Sequence, residues 1–217
     1  MRQEWEKIRG LSFQKKLGYI WDYYKLWIIA VLAVLFVGWY LISSFLRGNR
    51  ENYLYVEFIN TFAEVGQDSE FWEGYVEKVQ VDTDQVNVTF DAENYFDMAK
   101  DNVSGNHYYE KTVVLADAET LDAIVMEKEN LKLFGETGRL LDLNNEKVKQ
   151  ILKKYQDRLI TIDYDEDGNS EEIPIGIDLS GSRLTQDAYE ECALGIAANT
   201  HNIEAIEDFL DYVFEKG

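Results

Sequence analysis

Leu26–Leu46 reads LWIIAVLAVLFVGWYLISSFL, 21 residues without a charged side chain. A bilayer hydrocarbon core of about 30 Å needs about 20 helical residues. A soluble surface helix of this length would carry a polar stripe, and none is present here. The segment therefore reads as a transmembrane helix over 26–46. It separates a short segment at 1–25 from a linker at 47–51 and a larger domain at 52–217.

Flanking charge gives the expected orientation. Lys7, Arg9, Lys15, Lys16 and Lys25 precede the apolar run, whereas only Arg47 and Arg50 follow it closely. The excess of Lys and Arg places the N-terminus in the cytoplasm and the C-terminal domain outside. The expected localisation is the cell membrane, with a single pass and the lipid bilayer as the first partner. Trp21, Tyr23, Tyr24 and Trp27 mark one membrane interface; Trp39 and Tyr40 lie toward the other. The apolar run exceeds the usual ~7–15 residues of a signal peptide, and no small-residue cleavage site follows it. An uncleaved signal anchor is expected.

The stretch before the anchor is itself patterned. Phe13, Leu17, Ile20 and Tyr24 share one helical face, and Ser12 after Gly10 is a fitting N-cap. The pattern predicts an amphipathic helix in the inner interface that runs into the anchor. The alternative is a docking helix for a membrane-protein partner.

Charge is distributed unevenly over the 217 residues, whose formal net charge is −20. Residues 1–26 carry six basic groups against three acids, and 27–46 carry none. That leaves 15 basic and 38 acidic groups in 47–217, net −23. So acidic a domain is expected to exclude nucleic acid, because phosphate binding needs clustered Lys and Arg. Cations or basic peptides suit it better. Hydrophobic residues make up 46% and Pro occurs once, which is material for a packed core rather than a disordered chain. Cys192 is the single cysteine, so no intramolecular disulfide can form, and an outer domain without one points to a bacterial surface.

The outer domain alternates predicted strands and helices. Strands are expected at Asn52–Ile59, Gln85–Phe90, Thr112–Leu115, Leu121–Met126 and Ala193–Ala198. Helices are expected at Ser69–Val79, Ala92–Lys100, Glu127–Phe134 closed by Gly135, Asn145–Tyr155 and Ile203–Phe214. Leu159–Tyr164 and Glu172–Ile177 flank an Asp-Gly turn and predict a hairpin. The expected fold class is α/β, a mostly parallel sheet with flanking helices and one antiparallel hairpin excursion.

Three segments carry a family resemblance: GRLLDL at 138–143, the hairpin into IPIGIDLS at 173–180, and ALGIAANTHNIEAIEDFLDYVF at 193–214. They resemble the later part of bacterial extracellular solute-binding proteins of the type II periplasmic-binding class. Asn202, Glu204, Ala205, Phe209 and Leu210 match the last helix of that class. KKLGYIWDYYKLW at 15–27 is similar to the juxtamembrane region of anchored Firmicutes proteins that carry such domains. The resemblance implies a reduced relative, its second lobe shrunk to little more than the hairpin, with a small solute or peptide as ligand.

In open α/β sheets ligands bind beyond the carboxyl ends of parallel strands. That rule selects Asn60, Thr61 and Phe62 after the first strand, and Asp91, Asn94 and Tyr95 after the second. It also selects Ser180, Ser182 and Arg183 after the hairpin, and Asn199 and Thr200 after the last strand. Asp163, Asp165 and Asp167 with Gly168 open like a calcium loop, but its twelfth position is Pro174 instead of Glu. A polar hairpin turn explains the same residues. Asn87-Val-Thr89 and Asn102-Val-Ser104 fit the glycosylation pattern, which a bacterial protein would not use. No H-E-x-x-H, G-x-S-x-G, phosphate loop or G-x-G-x-x-G occurs, so a non-enzymatic protein without a cofactor is expected. It is either a membrane-anchored binding module or an accessory subunit of a larger membrane complex, such as a transporter or secretion machine.

Overall fold

The computed structural model describes residues 13–48, 50–61, 64–166 and 169–215. The chain divides into two units, Met1–Arg50 and Glu51–Gly217.

In the first unit, helix α1 runs over Phe13–Gly48 for 36 residues. Within it, Lys25–Ser43 has a mean hydropathy of 2.4 over 19 residues, and none of it is buried. One N-terminal helix is thus long and apolar enough to cross a membrane, compatible with an anchor or a signal sequence. The expected interfacial helix and the expected anchor are one continuous helix. Helical structure is unbroken from Phe13 to Gly48. Trp21, Trp27, Trp39 and Tyr40 are exposed. The side chains of Tyr23 and Tyr24 lie outside the described residues, as do Gly10 and the expected N-cap Ser12.

The second unit is α/β. Its elements are β1 (Glu51–Ile59), α2 (Glu70–Val79), β2 (Val86–Asn94), α3 (His107–Asp117), β3 (Ala123–Met126) and α4 (Lys128–Gly135). A 3-10 turn at Glu146–Val148 leads into α5 (Lys149–Lys154), followed by β4 (Leu159–Glu166), β5 (Asn169–Asp178), α6 (Leu184–Asp187), β6 (Ala193–Ile196) and α7 (Ile203–Phe214). The described strands form one six-stranded sheet in the order β2-β1-β3-β6-β5-β4. β1 pairs in parallel with β2 and β3. β6 is antiparallel to both β3 and β5, and β4 is antiparallel to β5. Four strands therefore share one direction in a mixed, mostly parallel sheet, and the antiparallel part is wider than the expected hairpin because β6 also reverses.

Both faces of the sheet are covered. Along β1, Leu54, Val56 and Phe58 join a core with Tyr75 of α2 and Ile206, Phe209 and Leu210 of α7. Alternation sends Ile59 to the other face, where it meets Ala116 of α3 and Leu131 and Phe134 of α4. Each fully buried Leu, Ile or Phe is worth roughly 1.5–3 kcal/mol of transfer energy. Rings of Phe58, Phe71, Tyr75, Phe90, Phe209 and Tyr212 pack on one another, mostly edge to face. One residue breaks the apolar rule on β1: Glu57 is fully buried.

Two expected elements change type. Ala92–Lys100 is not a helix: β2 continues to Asn94 beside Ile59, and 98–100 form a turn. Thr112–Leu115 is not a strand but the middle of α3. Its β-branched residues are overruled by an N-cap at Asn106, whose Oδ1 accepts from the Tyr108 and Tyr109 N–H groups, and by Thr112 and Ala116 facing the core one turn apart. Gly135 does not close α4 from outside. It is the last helical residue, where a Cβ would lie 3.2 Å from Ile175 Cγ1, and the left-handed glycine is Gly138 at φ 74°.

Candidate functional site at the carboxyl edge of the sheet

β1 is followed by Asn60 in the left-handed region, φ 58°, a conformation Asn tolerates better than most residues. Its side chain ties the end of β1 to the loop after β2: Nδ2 donates to Phe96 O at 2.7 Å, and Oδ1 accepts from Phe96 N at 3.1 Å. Thr61 is buried, and its carbonyl accepts from the Tyr95 hydroxyl at 3.4 Å. Phe62 lies outside the described residues. Tyr95 is half-exposed and packs edge-on against Tyr108. Asn60, Thr61, Asn94 and Tyr95 are therefore brought together, as the strand-end rule expects, but as a fastened corner.

Asp91 stands opposite Glu57 in the β1–β2 register. Its Oδ2 accepts from the Lys111 ammonium of α3 and from the Tyr55 hydroxyl at 3.1 Å. Lys111 also donates to Asn94 Oδ1 at 3.1 Å. Burial alone would raise the Asp91 carboxyl; Lys111, the Glu93 N–H and the Tyr55 hydroxyl outweigh it and hold the group below the usual range. Glu57 has less help. Burial pushes it up to about 7, the Asp91 charge adds to that, and Thr112 and Lys111 pull only partly back. Neither Glu57 oxygen has a hydrogen-bond partner among the described residues; nor do Thr112 Oγ1 and Asn94 Nδ2.

On the outer side of β2, a groove of about 530 Å³ is lined by Glu64, Gly66–Ser69 and Thr89–Glu93. Four carboxylates border it, from Glu64, Asp68, Asp91 and Glu93, and its lining includes no Lys or Arg. Its chemistry suits a cation.

The remaining expected residues are dispersed. Ser180 follows β5, its Oγ donating to Asp178 Oδ1 at 2.6 Å and accepting from Lys128 Nζ at 3.1 Å. Ser182 is buried. Arg183 faces no cleft: its guanidinium stacks 4.7 Å from the Tyr212 ring and Nε donates to Glu215 O at 3.0 Å, fastening the end of α7. Asn199 and Thr200 fall at the opposite end of the sheet, because β6 runs against β3. There Thr200 Oγ1 donates to Asp122 Oδ1 at 2.6 Å, just before β3 begins. Asp163 is exposed, while Asp167, Gly168 and the Asp165 side chain lie outside the described residues. Among the described residues no group of three or more His, Cys, Asp or Glu is placed to hold a metal. Cys192 is buried, and burial pushes its thiol up to about 12, so it is protonated at neutral pH.

Glu57, Lys111 and Thr112 are the residues that sequence reasoning passed over. The signal for Glu57 was present: it is the one acid inside the apolar run YLYVEFI. Compared with protein-family models, with curated proteins and with solved structures, the chain gives no match.

Proposed function

We propose that this chain is a single-pass membrane-anchored binding module. Its N-terminus is cytoplasmic and its acidic α/β domain lies outside the cell. The observation that carries the reading is the unburied apolar span Lys25–Ser43, followed at Glu51 by a unit with a core of its own. In this reading the domain is a reduced relative of solute-binding proteins and is not an enzyme. Its ligand is a cationic solute or basic peptide that meets the four carboxylates beside β2. Thermal shift of the full chain in detergent tests this against calcium, polyamines, basic peptides, neutral sugars and amino acids. A rise in melting temperature with the cationic ligands alone supports it; no shift with any of them removes the binding role. Topology is tested separately by placing a cysteine at Ser104 and labelling intact cells with a membrane-impermeant maleimide. Labelling is expected, and because Cys192 is buried the background is low.

A second reading, an accessory subunit of a membrane complex, is favoured by one feature: α1 begins 12 residues before Lys25. That extension offers a partner a helical surface. Substituting Trp21 and Tyr24 is expected to release a co-purifying membrane protein in this case, and unchanged co-purification rejects it.

A further inference from the structure

Glu57 is the buried centre of a polar group formed by three elements, with Lys111 at its exposed edge. Tyr55 of β1 points its hydroxyl to Asp91 of β2, and Asp91 stands beside Glu57 in register. β3 supplies only Ile124 at the Glu57 level. α3 closes the group with Lys111 and Thr112, which are adjacent in sequence. One ammonium therefore stands near two carboxylates, and two of its three donors go to Asp91 and Asn94. A neutral Glu57 fits this arrangement, since its acid proton can be donated to the neighbouring Thr112 hydroxyl. An ionised Glu57 fits poorly, because it is buried beside the Asp91 charge and Lys111 and Thr112 offset that only in part.

We propose that Glu57, Asp91 and Lys111 form a proton-controlled latch that seats α3 on the sheet, closed while Glu57 is neutral and released when it ionises. On ionisation the proton leaves to solvent, and Lys111 is drawn from Asp91 and Asn94 toward Glu57. α3 must then loosen to admit water. The same movement reaches the site corner, because Lys111 bonds Asn94 and the Asn106 cap of α3 donates to Tyr95 O at 3.2 Å. The upward shift of Glu57 to about 7 places the transition near neutrality. Asp91 also borders the acidic groove, so the test is run without any added cation.

Hydrogen exchange of the full chain in lipid nanodiscs tests it, read at amides of Tyr109–Asp117 between about pH 6 and about pH 8.5 and corrected for the intrinsic exchange rate. Exchange in α3 is expected to rise at least about tenfold over that range, while α7 stays protected. E57Q is expected to abolish the rise. D91N removes the neighbouring charge and frees Lys111 for Glu57, so Glu57 ionises at lower pH as a paired carboxylate and α3 stays protected across the whole range. Protection in wild type that does not change with pH overturns the latch. So does a pH response that survives in E57Q, or one in D91N equal to that of wild type.

Discussion

Glu57→Gln keeps the side chain's shape and removes its titrating proton. The folded protein holds this carboxyl at about 7, against 4.5 for an unperturbed group. Between those values the unfolded chain has released the proton and the folded chain has not. Stability therefore falls as pH rises from about 4.5 to about 7, and the loss levels off above that at about 3 kcal/mol. Thermal melts across this range should show the slope in wild type and not in E57Q, which should be the more stable of the two above neutrality. Asp122 is also raised by burial, but unlike Glu57 it is well supplied with donors. It accepts from Tyr55 N at 2.8 Å, Thr200 Oγ1 at 2.6 Å and Asn202 Nδ2 at 3.2 Å. D122A strands the Tyr55 N–H and the Thr200 hydroxyl, while Asn202 Nδ2 keeps Asn52 O, and urea denaturation should show a loss of about 2–4 kcal/mol. Neither environment was legible in the sequence. A lone acid in an apolar strand announces burial, but its partners come from elements far along the chain.

Elements were legible where one signal dominated. Ile203, Ile206, Phe209, Leu210 and Val213 mark α7 to the residue, because all five lie on a single core-facing stripe. Phe209 meets Phe58, Tyr75 and Phe90, so F209A should cost about 3–5 kcal/mol by denaturation. Elements were misread where local preference and tertiary context disagreed. Thr112–Leu115 is β-branched and apolar, yet it is helical because Asn106 caps the turn that starts it. N106A should cost about 1 kcal/mol and fray α3 first, visible as faster exchange at Tyr108–Lys111. The direction of β6 could not be read at all. Four buried residues look the same whichever way they run, and that ambiguity carried Asn199 and Thr200 to the wrong end of the predicted crevice.

At the scale of the molecule, the division into a bare apolar helix and a self-contained domain was the most legible feature, since 21 uncharged residues admit few other readings. Both core clusters draw only on residues of Glu51–Gly217. A chain beginning at Glu51 should therefore stay in the aqueous phase and melt cooperatively, whereas the full chain should require detergent. Phase partitioning and circular dichroism check the two halves of that statement.

The unbroken course of α1 has a mechanical consequence. Thirty-six residues at 1.5 Å each make a rod of about 54 Å, against a hydrocarbon core of about 30 Å. The 12 residues before Lys25 account for about 18 Å of that length. If the spanning part tilts by about 20°, a common angle for such helices, the free end sweeps sideways by about 6 Å. As the anchor proposed above, the helix would be a lever with its fulcrum in the bilayer: small changes in membrane thickness or lateral pressure would become displacements at Phe13.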